Sequence, residues 1–83
     1  MRITYYQEAG WTYGGTWTTE HWTAACSWDI PLWSYVTIDG DEYQCQDRGD
    51  LGFSGWIDIY APSGGDWVAQ RYGDWALVEV VTN

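Results

Sequence analysis

Short runs of β-branched and aromatic residues, separated by turn residues, constrain the fold of this chain more than any other feature. Two of the runs flank Asp39–Gly40, which is a strong hairpin signal. Only one segment is typical of a helix, about two turns long, with Asp66 as its predicted N-cap and Gly73 as its stop. This pattern predicts a small all-β domain, a closed or nearly closed β-barrel. The predicted strands are RITYY, SYVTI, EYQCQD, GWIDIY and ALVEVV, and the helix is DWVAQRY.

The aromatic content exceeds what a core of this size can hold. The chain has 83 residues, enough for a single domain spanning residues 1–83, yet it contains eight Trp, seven Tyr and one Phe. Several of these rings should therefore lie on the surface, where exposed aromatic faces usually indicate a stacking partner. Sugar rings, which have apolar C–H faces, are the partner that we expect.

The charge balance excludes two classes of partner. Twelve acidic residues against three arginines give a net charge of −9, which argues against nucleic acid and against anionic membranes. The chain shows no signal peptide and no apolar run near the roughly 20 residues of a membrane span. From these features alone, we expect a cytoplasmic or virion-borne protein, or a mature secreted domain.

The two cysteines allow one disulfide, with two reduced and buried thiols as the alternative. We favour a bond between Cys26 and Cys45 because a cross-link of this loop length stabilises a small domain by ~3 kcal/mol. One histidine and two isolated cysteines also make no zinc site. We expect no metal and no other cofactor.

Side-chain alternation places one aspartate in an unusual setting. In WIDIY, Ile57 and Ile59 share a face, which should point to the core. Asp58 then faces outward between Trp56 and Tyr60. A carboxyl enclosed by rings loses hydration, which raises its pKa and lets it act as an acid near neutral pH.

A second aspartate could meet the first. In YQCQD the same rule puts Tyr43, Cys45 and Asp47 on one face. If the two strands are neighbours, Asp47 and Asp58 meet at a cleft lined by rings. The alternatives are that Asp58 is an ordinary solvated residue and that Asp47 is a turn residue bonding its own backbone.

Four ordered stretches resemble the double-psi β-barrel group. That group includes the three-aspartate (3D) domain, the rare lipoprotein A domain, the catalytic barrel of lytic transglycosylase A and the expansins. The resemblance implies a six-stranded double-psi β-barrel with one short helix. The stretches are ITYYQ, IPLWSYVTI, QDRGDLGFSGWIDIY and VAQRYGDWALVEVV, which occur in the order of the group and extend over nearly the whole chain, from residue 3 to residue 81.

The resemblance also implies roles for individual residues. Asp58 lies eleven positions after Asp47, as in the motif of the group, so Asp58 matches the catalytic acid and Asp47 the supporting aspartate. Thr4 and Tyr5 match opening-strand positions that line the same groove. Stacking and hydrogen bonds to the substrate are expected from Thr4, Tyr5, Trp56 and Tyr60.

The chain departs from the motifs of the group at four positions. The first aspartate of the group falls at Cys26, and the glycine after Pro-Leu falls at Trp33. The second loop glycine is Asp50, and the basic residue two before the last aspartate is Trp56. These differences bear on the substrate rather than on the fold.

The leading functional hypothesis is a lytic transglycosylase-like domain that cleaves peptidoglycan with Asp58 as general acid. An inverting glycoside hydrolase is a second hypothesis, with Asp50 or Glu8 as its base. A non-catalytic, expansin-like polysaccharide-binding or wall-loosening module is a third, and a phage or structural adaptor is a fourth. The resemblance implies a monomer that binds polysaccharide outside the cell or in the cell envelope. A phage-encoded protein also fits this expectation.

Overall fold

The computed structural model describes residues 1–49 and 53–82. Every strand and the helix expected from the sequence are present, with ends that differ by up to two residues. The chain therefore belongs to the small all-β class. Its elements in order are β1 (Arg2–Tyr6), β2 (Thr23–Cys26), β3 (Tyr35–Ile38), β4 (Asp41–Arg48), β5 (Trp56–Tyr60), α1 (Asp66–Tyr72) and β6 (Val78–Val81).

The six strands form one curled sheet, a half-barrel, in the order β1-β5-β2-β4-β3-β6. The pairs β1/β5 and β2/β4 are parallel, and the other three pairs are antiparallel. The segment before β6 lies against the start of β1, since Ile3 N–H donates to Asp74 O at 3.0 Å and Ala76 N–H to Met1 O at 2.9 Å. These bonds bring the two ends of the sheet together on one side.

The hairpin between β3 and β4 is confirmed. Ile38 pairs with Asp41, which leaves Asp39 and Gly40 as a two-residue turn. Both turn residues have positive φ, 50° and 84°, as the tight turns that match strand twist require.

One strand, β2, was not predicted. It consists of Thr23, two alanines and Cys26, so it lacks the branched and aromatic residues that indicate a strand. All four residues are buried, because β2 lies between β5 and β4 in the middle of the sheet. The expected contact between β4 and β5 is therefore wrong, because β2 separates them.

The core fills the inside of the curled sheet. Ile57 and Ile59 belong to it, as the alternation predicted. The predicted disulfide is confirmed: Cys26 and Cys45 are bonded across the β2/β4 pair, with their Cα atoms 5.7 Å apart. The other fully buried core side chains include Val36, Ile38 and Val68.

The helix closes one side of this core. It begins at Asp66 with Gly65 as its N-cap and no side-chain capping bond, so the N-cap role predicted for Asp66 is wrong. Residue 65 must be glycine, since a Cβ there would lie 2.1 Å from the ring of Tyr5. Gly73 ends the helix as predicted, with φ 71° and its N–H bonded to Ala69 O. Within residues 1–49 and 53–82, no helix has the length and apolar character to cross a membrane.

Candidate active site

Four side chains form a row across four strands on the outer face of the sheet. Thr4 pairs with Asp58, Asp58 pairs with Ala25, and Ala25 pairs with Asp47. Paired residues project to the same side of a sheet, so the two aspartates flank a single methyl group. With strands about 4.8 Å apart, their Cα atoms are about 10 Å apart. Within the row, only the methyl group of Ala25 lies between the two carboxyls.

A β-bulge places Asp47 in this row. Ala24 pairs with Cys45, but the next residue, Ala25, pairs with Asp47, so Gln46 is the extra residue. Cys45 faces the core, whereas Asp47 lies on the side of Asp58. The prediction that Cys45 and Asp47 share a face is therefore wrong, because the bulge interrupts the alternation.

Asp58 is a partly buried carboxyl with a raised pKa. Burial is the main cause, and the charge of Asp47 raises the pKa further. Thr4 Oγ1 donates a hydrogen bond to Asp58 Oδ1 at 2.8 Å, which favours the ionised form and opposes the shift only in part. Among the described residues, no cation forms a salt bridge with Asp58. The environment of Asp58 thus favours the protonated form more than water does.

Asp47 also accepts hydrogen bonds from the backbone of neighbouring segments. Its Oδ1 accepts the backbone N–H of Tyr13 at 2.8 Å and that of Arg48 at 2.9 Å. The second bond is the local backbone contact that the turn-residue alternative anticipated. The first bond ties a distant loop to the row, so Asp47 positions part of the cleft wall.

Tyr6 is a cleft residue that the sequence reasoning missed. It lies two residues after Thr4 on the same face of β1, and burial followed by the charges of Asp47 and Asp58 raises its pKa. Its hydroxyl is buried beside the Asp47 carboxylate, which contributes to the raised pKa, but it forms no hydrogen bond of regular geometry with any described residue. Alternation counted from Thr4 would have found it. The groove position predicted for Tyr5 is wrong, since Tyr5 lies on the opposite face and packs against Gly65.

Trp56 and Tyr60 flank Asp58 along β5, but both are buried and neither lines an open groove. Their exposed fractions are 1% and 6%, so the exposure predicted for both rings is wrong. The chain before β5 covers Trp56, whose Nε1–H donates to Phe53 O at 2.7 Å. Tyr6 covers Tyr60, with ring centroids 5.4 Å apart. Neither ring presents a free face to a sugar.

Three of the exposed rings, those of Trp11, Tyr13 and Trp17, belong to a segment in which only a turn was predicted. Residues 10–18, here called the aromatic hairpin, form a small hairpin in which Trp11 and Trp17 pair across the strands. Trp11 is 75% exposed, and its ring lies 5.1 Å from that of Trp17 in an edge-to-face contact. Tyr13 makes a similar contact with Trp28 at 5.3 Å. A group of exposed rings therefore lies beside Asp47, while others, such as Trp75, lie elsewhere on the surface.

The tip of the aromatic hairpin is hydrogen-bonded to the sheet. Gly14 N–H donates to Gln46 O at 2.9 Å, which uses the carbonyl group that the bulge frees. A Cβ on Gly14 would lie 2.7 Å from the indole of Trp33, so only glycine allows this approach. Trp33 has φ 72° at the position where the resembling motif has glycine. A strained tryptophan thus packs against the tip of the hairpin.

An open groove of about 260 Å³ joins the aromatic hairpin to the cleft. Its lining includes Tyr6, Glu8, Trp11, Thr18 and Asp47. Glu8, one of the two candidate bases, is therefore in the groove. The other candidate, residue 50, is an aspartate that lies outside the described residues.

No group of three or more potential metal ligands occurs in residues 1–49 and 53–82. Comparison of the chain with protein-family models, with curated proteins and with solved structures gives no match. The function is therefore argued from the chemistry of the cleft.

Proposed function

We propose that this chain cleaves a cell-wall glycan, with peptidoglycan as the substrate and Asp58 as the general acid, by the lytic transglycosylase route. One observation carries the proposal. Asp58 is a partly buried carboxyl whose pKa is raised and which has no cationic partner among the described residues. Such a group can hold a proton at a pH where most aspartates are ionised.

The reaction needs few protein groups. Asp58 donates its proton to the glycosidic oxygen, and the bond from that oxygen to C1 breaks as positive charge develops on the sugar. The 6-hydroxyl of the same sugar then attacks C1, and the Asp58 carboxylate takes up the proton which that hydroxyl releases. The product is an anhydro sugar, and Asp58 is protonated again for the next turnover.

The neighbours of Asp58 fit supporting roles. Thr4 holds Oδ1 through its 2.8 Å hydrogen bond, which leaves Oδ2 to carry the proton. Asp47 lies across Ala25 and places a negative charge where the sugar becomes positive. The buried hydroxyl of Tyr6 lies beside the Asp47 carboxylate and can help to hold it in place.

Two other functions use the same cleft. An inverting hydrolase needs a base roughly 6.5–9.5 Å from the acid, and Asp47 or Glu8 could serve, although Asp47 Oδ1 already accepts two backbone N–H groups. A non-catalytic polysaccharide-binding module is favoured by the exposed rings of the aromatic hairpin. Both alternatives keep a glycan as the partner.

We also propose that the chain has the double-psi β-barrel architecture of the group that it resembles. The ordered motifs support this assignment, as do six strands in one curled sheet with two parallel pairs. The same resemblance supports a monomer that works outside the cell or in the cell envelope.

Mass analysis of purified peptidoglycan after incubation with the protein tests the proposed reaction. We expect anhydro-muramyl products from the wild type and none from Asp58→Asn, which keeps the shape of the side chain and removes the titrating proton. Reducing ends would instead indicate a hydrolase, and the absence of products with retained binding would indicate a binding module. Asp74→Asn removes an exposed carboxylate outside the row and is the matched control, with wild-type products expected.

A further inference from the structure

The aromatic hairpin exposes large apolar rings next to polar groups. Trp11 is 75% exposed, although a single edge-to-face contact with Trp17 already fixes its ring. The groove that starts at Trp11 is also lined by two polar residues, Thr18 and Glu8. An apolar plate bordered by hydrogen-bonding groups matches a sugar ring, which has an apolar face and a rim of hydroxyls.

The hairpin is held at a fixed place relative to the proposed acid. Asp47 Oδ1 accepts the N–H of Tyr13, and Gln46 O accepts the N–H of Gly14. The indole of Trp33 lies against Gly14 so closely that no larger residue fits. The exposed rings therefore do not depend on a loose loop, and a ligand seated on them lies at a defined distance from Asp58.

We propose that the aromatic hairpin is a glycan-binding subsite, in which one sugar of the chain stacks on Trp11 and the chain continues along the groove past Tyr6 to Asp58. This inference rests on the proposed function for the direction of the chain. The occupant is a glycan because the groove reaches Asp47, which lies in the same row as the proposed acid, and because a net charge of −9 disfavours a polyanion.

Binding is measured in the Asp58→Asn protein, so that turnover does not remove the ligand. The probes are insoluble purified peptidoglycan, by sedimentation, and a soluble hexamer of N-acetylglucosamine, by calorimetry. Trp11→Ala should weaken binding about tenfold or more, on the scale of ring stacking measured by alanine substitution. Trp11→Phe should restore part of the loss. Trp75→Ala is the matched control, since Trp75 is 61% exposed and is not among the residues that line the groove.

The outcomes separate this inference from the proposed reaction. If Trp11→Ala binds both probes as tightly as the Trp75→Ala control, or if the Asp58→Asn protein binds neither probe, the subsite is overturned. If the wild type yields no products but binds in a manner that depends on Trp11, the subsite stands and the enzymatic function fails. Far-ultraviolet circular dichroism and the thermal midpoint show that each variant is folded.

Discussion

Two carboxyl clusters on this molecule look alike in composition and differ in their electrostatics. Asp58 lies beside Thr4 and Tyr6, while Asp41, at the start of β4, lies beside Tyr72 and Arg71. Burial raises the pKa of Asp58, whereas the Arg71 guanidinium, followed by the Tyr72 hydroxyl, lowers the pKa of Asp41. The presence of a cationic partner is the difference, and it separates a carboxyl that can donate a proton from one that holds the fold together.

The hydroxyl groups of the two clusters differ in the same way. Tyr43 and Tyr72 share a hydrogen bond of 2.7 Å, and Tyr72 donates onward to Asp41 at 2.6 Å, so this chain of groups is complete. Tyr6 at the other cluster has no regular partner among the described residues. A satisfied network stabilises the protein, whereas a buried hydroxyl without a regular partner contributes little to stability.

The largest expected effect is on the rate of peptidoglycan cleavage, which should depend on Asp58 and not on Asp41. Asp58→Asn should reduce peptidoglycan cleavage by about 10²–10⁴-fold, because general acid catalysis contributes on that scale. Asp41→Asn should leave the rate within about twofold of wild type, measured by turbidity clearing at equal folded concentration. Equal losses in both variants would mean that the loss reflects damage to the fold rather than a missing acid.

The sequence predicted the strand that carries Asp58 more accurately than it predicted the cleft around that residue. The alternation of Ile57 and Ile59 fixed the face of β5, because that signal is local. The row with Asp47 depended on β2, whose Ala25 carries no strand signal, and on a bulge at Gln46 that depends on partners from distant segments. Local patterns cannot reveal which strand is inserted between two others.

The burial of aromatic rings was misjudged for the same reason. Trp56 alternates with core residues and was expected to be exposed, yet the chain before β5 folds over it. Trp11 and Trp56 are the same residue type, and only the tertiary arrangement buries Trp56 and exposes Trp11. The identity of the rings was visible in the sequence, but their environments were not.

The second prediction compares the two sets of hydroxyls by stability. Tyr72→Phe leaves the buried hydroxyl of Tyr43 without its partner and should lower the free energy of unfolding by about 1–3 kcal/mol. Tyr6→Phe removes a hydroxyl with no regular partner and should change the stability by less than about 0.5 kcal/mol. Urea denaturation measures both. A larger loss for Tyr6→Phe would contradict the assignment of Tyr6 to the cleft.

The third prediction concerns stability against pH. Asp58 has a raised pKa in the folded state, so the folded state binds more protons, and its contribution to stability is lost as pH rises from the ordinary value of 3.8 to the raised value. Asp41 has a lowered pKa, so its contribution is present above 3.8 and is lost as pH falls through the lowered value.

The two asparagine variants should therefore differ from wild type in opposite directions. At neutral pH, Asp58→Asn should be more stable than wild type, and Asp41→Asn should be less stable. Urea titrations from pH 3 to 8 give both curves, and taking each variant minus wild type removes the contributions of the other carboxylates. Two differences of the same sign at neutral pH would contradict the comparison.

The smallest expected effect is a shift in the pH dependence of cleavage. Because the charge of Asp47 raises the pKa of Asp58, Asp47→Asn should move the fall in rate at high pH to a lower pH. The carbonyl oxygen of asparagine can still accept the two backbone N–H groups, so the aromatic hairpin should keep its place. Thr4→Val should move the same limb to a higher pH, because the hydrogen bond from Thr4 favours the ionised acid. Opposite shifts from two neighbours would identify Asp58 as the group that titrates. Shifts in one direction, or none, would assign the limb to another residue.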